Sequence, residues 1–104
     1  MNYENEIWKE IEGYEGLYEV SNYGRVRSLK RKAPKILKLA NNGYGYLTAT
    51  LSKNNGRSTI KVHTLVAKAF IPNPDSLPTV DHVNRDRADN RVENLRWANY
   101  REQS

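Results

Sequence analysis

The chain has 104 residues, a formal net charge of +5 and a hydrophobic fraction of 38%, which suits one small domain, or two very small ones that share a thin core. It contains no cysteine, which excludes disulfide bonds and cysteine-based zinc sites. No apolar run approaches the roughly 20 residues that a membrane-spanning helix needs, and the acidic first eight residues do not resemble a signal peptide. We therefore expect a folded protein of a reducing cytoplasm without a membrane partner.

The charge is distributed unevenly along the chain. Residues 20–74 contain no Asp or Glu but hold eleven Lys and Arg residues, while six acidic residues precede this stretch and six follow it. A solvated surface usually mixes charges of both signs, so this acid-free stretch predicts a face that binds a polyanion. Nucleic acid is the favoured partner, because an acidic membrane would favour an amphipathic basic helix. A highly soluble face without a partner stays open as the alternative.

The first half of the chain has the pattern of an antiparallel meander. An irregular lead-in at residues 8–18 is expected to pack Trp8 and Tyr14. Strands with alternating or Tyr-, Leu- and Thr-rich sequence are predicted at residues 17–20, 25–29, 44–52 and 58–62. Segments with Asn and Gly, or with clustered basic residues and Pro34, predict the turns and loops at 21–24, 30–35, 41–43 and 54–56.

The second half changes to helical and mixed patterns. Residues 63–70 have apolar positions at helical spacing, and Pro72 ends that helix because proline cannot continue it. A short strand is predicted next, followed by a polar loop, a short turn or strand, and a final helix, at residues 79–83, 84–90, 92–97 and 98–104 respectively.

The residues able to do chemistry cluster after residue 80. Asp81 and His82 are adjacent at the end of a predicted strand, where neighbouring side chains point to opposite faces. Asn94 follows twelve positions later and Gln103 nine positions after that. Taken alone, a single histidine is more often structural than catalytic, so the context of the pair decides its interpretation. Asn90 is predicted to cap the short turn that follows it.

Two linked segments resemble a known family. The sequences VHTLVAKAFIPNP at 62–74, VDH at 80–82 and DNRVENLRW at 89–97 resemble the HNH homing endonucleases of mobile introns and free-standing phage genes. The sequences WKEI at 8–11 and GYEGLYEVSNYGRVRS at 13–28 resemble the NUMOD4 element that precedes the HNH motif in those enzymes. The two motifs occur in the expected order and together cover nearly the whole chain.

The resemblance implies a fold and a reaction. The fold is α+β, with a small antiparallel sheet in a NUMOD4-like, DNA-binding segment at 1–58, followed by a ββα-metal HNH unit at 59–104. The reaction is hydrolysis of a DNA phosphodiester bond that leaves a 5′ phosphate, with one strand nicked per monomer. The partner implied is double-stranded DNA in a bacterial host cytoplasm, and the chain is expected to act as a monomer or weak dimer.

The resemblance also assigns roles to the candidate residues. His82 would be the general base, because the ordinary pKa of histidine lies near neutrality. Asp81 would be a ligand of one divalent cation, Mg²⁺ in first place with Mn²⁺ as the alternative, since hard cations prefer oxygen ligands. Asn94 would brace the loop and orient the histidine. His63 is left with two interpretations, a structural one at the helix and a contact with the site.

The third motif position departs from the family. Relatives usually have His or Asn as the second metal ligand, whereas the chain has Gln103, whose amide is neutral and one methylene longer than that of Asn. This departure keeps a rival hypothesis open, that of a DNA-binding module that retains the HNH fold and has lost the chemistry. RNA as the target is a further alternative, because attraction to phosphates does not separate RNA from DNA.

Basic residues near both motifs are predicted to contact DNA phosphates. Such contacts give affinity without sequence information. The residues concerned are Arg25, Arg27, Lys30, Arg31, Lys32, Lys35 and Arg96.

Overall fold

The structure is a computed structural model that describes residues 3–54 and 56–100. Within these ranges it has nine strands, one α-helix and a short 3₁₀ turn at Val92–Asn94. The strands are β1 Trp8–Glu10, β2 Tyr18–Ser21, β3 Val26–Ser28, β4 Lys35–Ile36, β5 Ala40–Asn41, β6 Leu47–Lys53, β7 Gly56–Lys61, β8 Thr79–His82 and β9 Leu95–Ala98, and the helix is α1 Val62–Phe70.

The described strands form three small antiparallel sheets around helix α1. The first sheet has the order β1-β2-β3-β4, the second β5-β6-β7, and the third pairs β8 with β9. Helix α1 contacts strands of all three sheets. Its side chains Val62, Val66 and Ala67 are completely buried, because their spacing puts them on the face that the sheets cover. The helix thereby joins the N-terminal sheet to the hairpin that carries Asp81 and His82.

The ends of α1 follow from local sequence. The helix begins directly after β7, and Ile71 at its end adopts an extended conformation. Ile71 precedes Pro72, and the residue before a proline is pushed out of the helical region. The amide of Ile71 still donates to the carbonyl of Ala67 at 2.9 Å, which closes the last turn.

Most of the elements predicted from the sequence are present with shifted ends. The predicted strands correspond to β2, β3, β6, β7 and β8, and the predicted helix to α1. The α+β class with antiparallel sheets and one helix is confirmed. The division into residues 1–58 and 59–104 stays a prediction.

Two of the predicted elements are wrong. Residues 8–18 are not irregular throughout, because β1 pairs antiparallel with β2. Ala98 does not begin a helix; it lies in β9 and faces Thr79 of β8. Both errors have one cause, since the strands form by pairing with a distant segment that local patterns do not reveal. The rest of the predicted final helix, from residue 101 on, lies outside the described residues.

No helix among the described residues is long and apolar enough to cross a membrane.

The burial of the first sheet predicts a stability difference between two isoleucines. Ile11 follows β1 and is 4% exposed, whereas Ile36 in β4 is 44% exposed. We expect Ile11→Ala to lower the free energy of unfolding by about 2–5 kcal/mol, because it removes buried methyl groups and leaves a cavity. The matched change Ile36→Ala should cost about 0.5 kcal/mol. Urea denaturation of both variants measures the difference, and equal losses would contradict this account of the core.

Candidate active site

Asp81 and His82 lie at the end of β8, which is held in place by β9. Asp81 faces Arg96 across the hairpin and His82 faces Leu95. Their side chains alternate, so His82 is buried while Asp81 is only partly covered. Both line one open cleft of about 540 Å³, together with Tyr46, Arg85 and Arg87 among other residues.

The ring of His82 is held by a buried hydrogen bond. Its Nε2 donates to the side-chain oxygen of Asn90 at 2.7 Å. His82 is 5% exposed and Asn90 is 3% exposed. The edge of the His63 ring packs on His82 with the ring centres 4.9 Å apart, and Tyr46 lies beside both histidines. The ring is therefore fixed in orientation by one polar contact and two aromatic ones.

Asn94 braces the loop between β8 and β9. Its side-chain oxygen accepts from the amide of Asn84 at 3.0 Å, and its Nδ2 donates to the side chain of Asn84 and to the carbonyl of Asp89. Its own carbonyl accepts from the amide of Val83 at 2.8 Å. These contacts hold the loop, whereas the side chain that touches His82 is Asn90, and the role predicted for Asn94 in catalysis stays a prediction.

Asn90 is the site residue that sequence reasoning missed. Arg91, and not Asn90, precedes the 3₁₀ turn, and no side chain caps that turn, so the predicted capping role of Asn90 is wrong. The only signal in the sequence was a polar residue eight positions after His82 in a loop rich in Asn and Asp. Burial of its amide against a histidine is a property of the closed loop, which local sequence does not show.

An ion pair inside the loop adds to the brace. The guanidinium of Arg91 donates from Nε and from Nη2 to Asp89 at 2.8 Å each. This contact, with a further hydrogen bond from Asn84, lowers the pKa of Asp89 to about 2. Asp89 therefore stays ionised throughout the neutral range, and the loop keeps its shape there.

Asp81 presents a hard oxygen donor to the cleft. One carboxylate oxygen accepts from Nε and Nη2 of Arg96 at 3.2 and 3.1 Å. A carboxylate at an open cleft fits the ligand preference of Mg²⁺ or Mn²⁺. Among residues 3–54 and 56–100 no three His, Cys, Asp or Glu side chains come together as a metal site. Gln103 itself lies outside the described residues.

His63 is a buried neutral neighbour of His82. Its Nδ1 is buried without a hydrogen-bond partner among the described residues. Burial, with smaller contributions from the nearby charges of His82 and Lys61, lowers the pKa of His63 to about 4. The ring is therefore uncharged at neutral pH and packs against the site from the helix side.

The predicted DNA contacts divide into two groups. Arg25 forms an ion pair with Glu6 at 2.5 Å, and Arg27 forms one with Glu19 at 2.6 Å. Lys30 donates to the carbonyl of Ser52 at 2.6 Å. These three basic groups already have partners within the protein, and Arg96 is paired with Asp81.

The second group is free in the part of the chain that the structure describes. Arg31, Lys32 and Lys35 are exposed and have no hydrogen-bond or ion-pair partner among the described side chains. Arg85 and Arg87, which line the cleft, were not among the residues predicted to contact DNA. They were missed because they lie in a segment that also contains acidic residues.

The low pKa of His63 predicts a loss of stability in mild acid. Between about pH 6.5 and about pH 4 the unfolded chain binds a proton at this residue and the folded chain does not. The free energy of unfolding therefore falls as the pH is lowered through this window, and the contribution is complete above it. We expect a loss of about 2 kcal/mol, somewhat less than the full shift implies because solvent screens part of the site.

Urea denaturation at a series of pH values measures this loss. The variant His63→Phe keeps a ring at the position but cannot take up a proton, so its stability should change less over the same window. Asp89 titrates below this window and does not obscure the comparison. An identical pH dependence in both proteins would contradict the assignment.

Known proteins match the chain in both sequence and fold. Residues 6–52 match the family model of the NUMOD4 motif, and residues 61–104 match that of an HNH endonuclease. The uncharacterized HNH endonuclease L245 of Acanthamoeba polyphaga mimivirus is 40% identical over 94 residues, covering 90% of this chain and 27% of the relative. DNA endonuclease I-HmuI of Bacillus phage SP01 is 41% identical over 90 residues, covering 86% of this chain and 51% of the relative.

A solved structure supports the same assignment. It describes DNA binding and cleavage by the HNH homing endonuclease I-HmuI, and it matches with a TM-score of 0.81 at 40% identity over 91% of this chain and 53% of that one. The chain thus spans about half the length of this relative, and about a quarter of the mimivirus one. The resemblance noted in the sequence is confirmed. The chain is homologous to HNH homing endonucleases, with a NUMOD4 motif at residues 6–52 in front of an HNH segment at residues 61–104.

Proposed function

We propose that this chain cuts double-stranded DNA by hydrolysis, with His82 as the general base and a divalent cation held at Asp81. The observation that carries the proposal is the geometry of the cleft. It brings together a buried, oriented imidazole, a carboxylate and two arginines that have no acidic partner among the described residues. These groups suit the binding of a polyanionic substrate and the removal of a proton from water. The I-HmuI relative is a DNA endonuclease.

His82 would act on a water molecule beside the scissile phosphate. A neutral imidazole accepts a proton from that water as the oxygen attacks phosphorus. The bond from phosphorus to the 3′ oxygen breaks, and the 3′ oxygen leaves and acquires a proton from solvent. The products are a 3′ hydroxyl and a 5′ phosphate, so atoms and charge balance without a redox partner.

Asp81 would hold the cation together with the scissile phosphate and Gln103. Mg²⁺ is the first expectation and Mn²⁺ the second, because both prefer oxygen ligands. When bound, the cation supplies positive charge next to the phosphate and the leaving 3′ oxygen. Arg96 keeps the Asp81 carboxylate in place across the hairpin. One site per chain implies that a monomer nicks one strand, and cutting both strands would need a dimer or sequential events.

Arg85 and Arg87 would clamp the phosphates at the cleft. Both side chains are exposed, and Arg87 is steadied by donating to the carbonyl of Tyr44 at 2.7 Å and by lying over the Tyr46 ring. An arginine that is held by neutral groups keeps its full charge available for phosphate. The exposed residues Arg31, Lys32 and Lys35 would contribute further phosphate contacts away from the cleft.

Plasmid nicking tests the proposed chemistry. We expect the wild type to convert supercoiled plasmid to the open-circular form with Mg²⁺ or Mn²⁺ and to stop when the metal is chelated. His82→Ala should lower the rate by about 10²- to 10⁴-fold, because it removes the base. Asp81→Asn should also lower it and raise the metal concentration required, whereas Asp75→Asn, in an exposed loop outside the cleft, should cut like the wild type.

DNA binding separates the proposed enzyme from its rival. A protein that shifts duplex DNA in a gel but does not nick it with either metal would be the binding module that has lost the chemistry. Gln103→Asn and Gln103→His then become the decisive variants, since they restore the ligand types usual in the family. Binding that is as tight to RNA as to duplex DNA would contradict the proposed substrate.

The two groups of basic residues should differ in their effect on DNA affinity. Replacing Arg31, Lys32 and Lys35 together with Ala should weaken binding and reduce the slope of log K against log salt by about 2–3, because each phosphate contact contributes about 0.9. Arg25→Ala should mainly lower thermal stability, because this side chain is already paired with Glu6. Fluorescence anisotropy at several salt concentrations measures the slope, and an unchanged slope in the triple variant would contradict the assignment.

A further inference from the structure

We infer that the turn between β2 and β3, in the NUMOD4 part of the chain, is a positioning element of the active site. It holds Asn90, and Asn90 in turn holds the general base His82. The inference rests on the proposed function for the role of His82, but the contacts themselves do not. The N-terminal sheet would then do more than contact DNA, because the orientation of His82 would depend on the turn between β2 and β3.

The first of these contacts is a close approach of Gly24 to Asn90. Gly24 has a φ of +86°, and a Cβ built on it would lie 2.9 Å from the Cβ of Asn90 and 3.0 Å from its carbonyl oxygen. Real Cβ atoms do not come so close, so any larger residue would push Asn90 away. The turn backbone therefore forms one wall of the pocket in which the Asn90 side chain sits.

A second contact from the same turn holds the loop two residues after Asn90. The carbonyl of Asn22 accepts a hydrogen bond from the amide of Val92 at 2.9 Å. Asn22 and Gly24 thus hold the backbone at positions 92 and 90 from the same turn. The close approach of Gly24 to Asn90 and the hydrogen bond from Val92 to Asn22 together fix the position of the loop relative to the turn.

The turn is rigid enough to transmit this constraint. The buried hydroxyl of Ser21 accepts from the amides of Tyr23 and Arg25 at 3.2 Å each. The side-chain oxygen of Asn22 accepts from the amide of Ile7 at 2.7 Å, and the amide of Asn22 donates back to the carbonyl of Ile7. The turn is therefore tied to itself and to the segment that leads into β1.

The last contact decides which nitrogen of His82 can act as the base. Asn90 accepts the proton of Nε2 at 2.7 Å in a buried setting, so that proton stays on Nε2 and the lone pair is left on Nδ1. Among the described residues the ring of His82 makes its hydrogen bond through Nε2 and none through Nδ1. When Nδ1 takes the proton of the attacking water, the oxygen of Asn90 still accepts from Nε2–H and stabilises the imidazolium.

A matched pair of glycine variants tests the inference. Gly24→Ala should displace Asn90, and with it His82, and lower the nicking rate by about 10- to 100-fold, since small misplacements of a catalytic group have effects of this size. Gly16→Ala is the control, because Gly16 has a similar φ of +77° but open space where the Cβ would lie. Both variants should bind duplex DNA as the wild type does. Equal rates in the two variants would overturn the inference.

Nitrogen NMR of His82 tests the same contacts without any cleavage. At alkaline pH, the wild type and Gly16→Ala should show the hydrogen on Nε2. Gly24→Ala and Asn90→Leu should show a mixture of the two tautomers, while Asn90→Asp, which keeps an acceptor oxygen, should retain the wild-type form. A packing role alone would make Asn90→Leu, which has the same branched shape and number of side-chain heavy atoms, resemble the wild type, and that result would overturn the inference.

The two measurements keep the inference apart from the proposed function. If the wild type fails to nick DNA, the proposed function fails, and the NMR comparison of Gly24→Ala with Gly16→Ala still decides whether the turn positions His82. If the wild type nicks DNA but its ring carries the hydrogen on Nδ1, the proposed function stands and the inference is overturned.

Discussion

The hydrogen bond between His82 and Asn90 is the interaction on which the rest of the site depends. Both side chains are almost completely buried, and a buried polar group that loses its partner costs about 1–3 kcal/mol. The loop after β8 must therefore close so that the amide of Asn90 meets the ring. The braces of Asn94 and the ion pair of Asp89 with Arg91 are what keep that loop closed.

Closure of the loop also determines the surroundings of the base. His63 from α1 and Tyr46 from the segment before β6 pack beside the ring of His82. His63 stays neutral because it is buried, so it packs against the ring of His82 without adding a charge beside it. Residues in or next to all three sheets and α1 thus lie close to the ring of His82.

The sequence predicted those parts of the fold and site that local patterns encode. The strands β2, β3, β6 and β7 follow from alternation between turn signals, and Asp81 with His82 stood out through spacing and family resemblance. β1 and Asn90 were missed, since β1 forms only by pairing with β2 and Asn90 matters only once the loop is closed. The ion pairs of Arg25 and Arg27 were missed for a similar reason, because their partners Glu6 and Glu19 lie outside the acid-free stretch.

The distribution of charge in space therefore differs from its distribution along the chain. Acidic residues before the acid-free stretch neutralise Arg25 and Arg27 through folding, so the number of basic residues in that stretch overstates the charge left for a polyanion. The loop between β8 and β9 shows the reverse, since its acids Asp86 and Asp89 make local contacts while Arg85 and Arg87 remain at the cleft. A phosphate backbone that crosses this molecule would meet unpaired positive charge at the cleft and at residues 31–35, and the sequence predicted only the second of these two places.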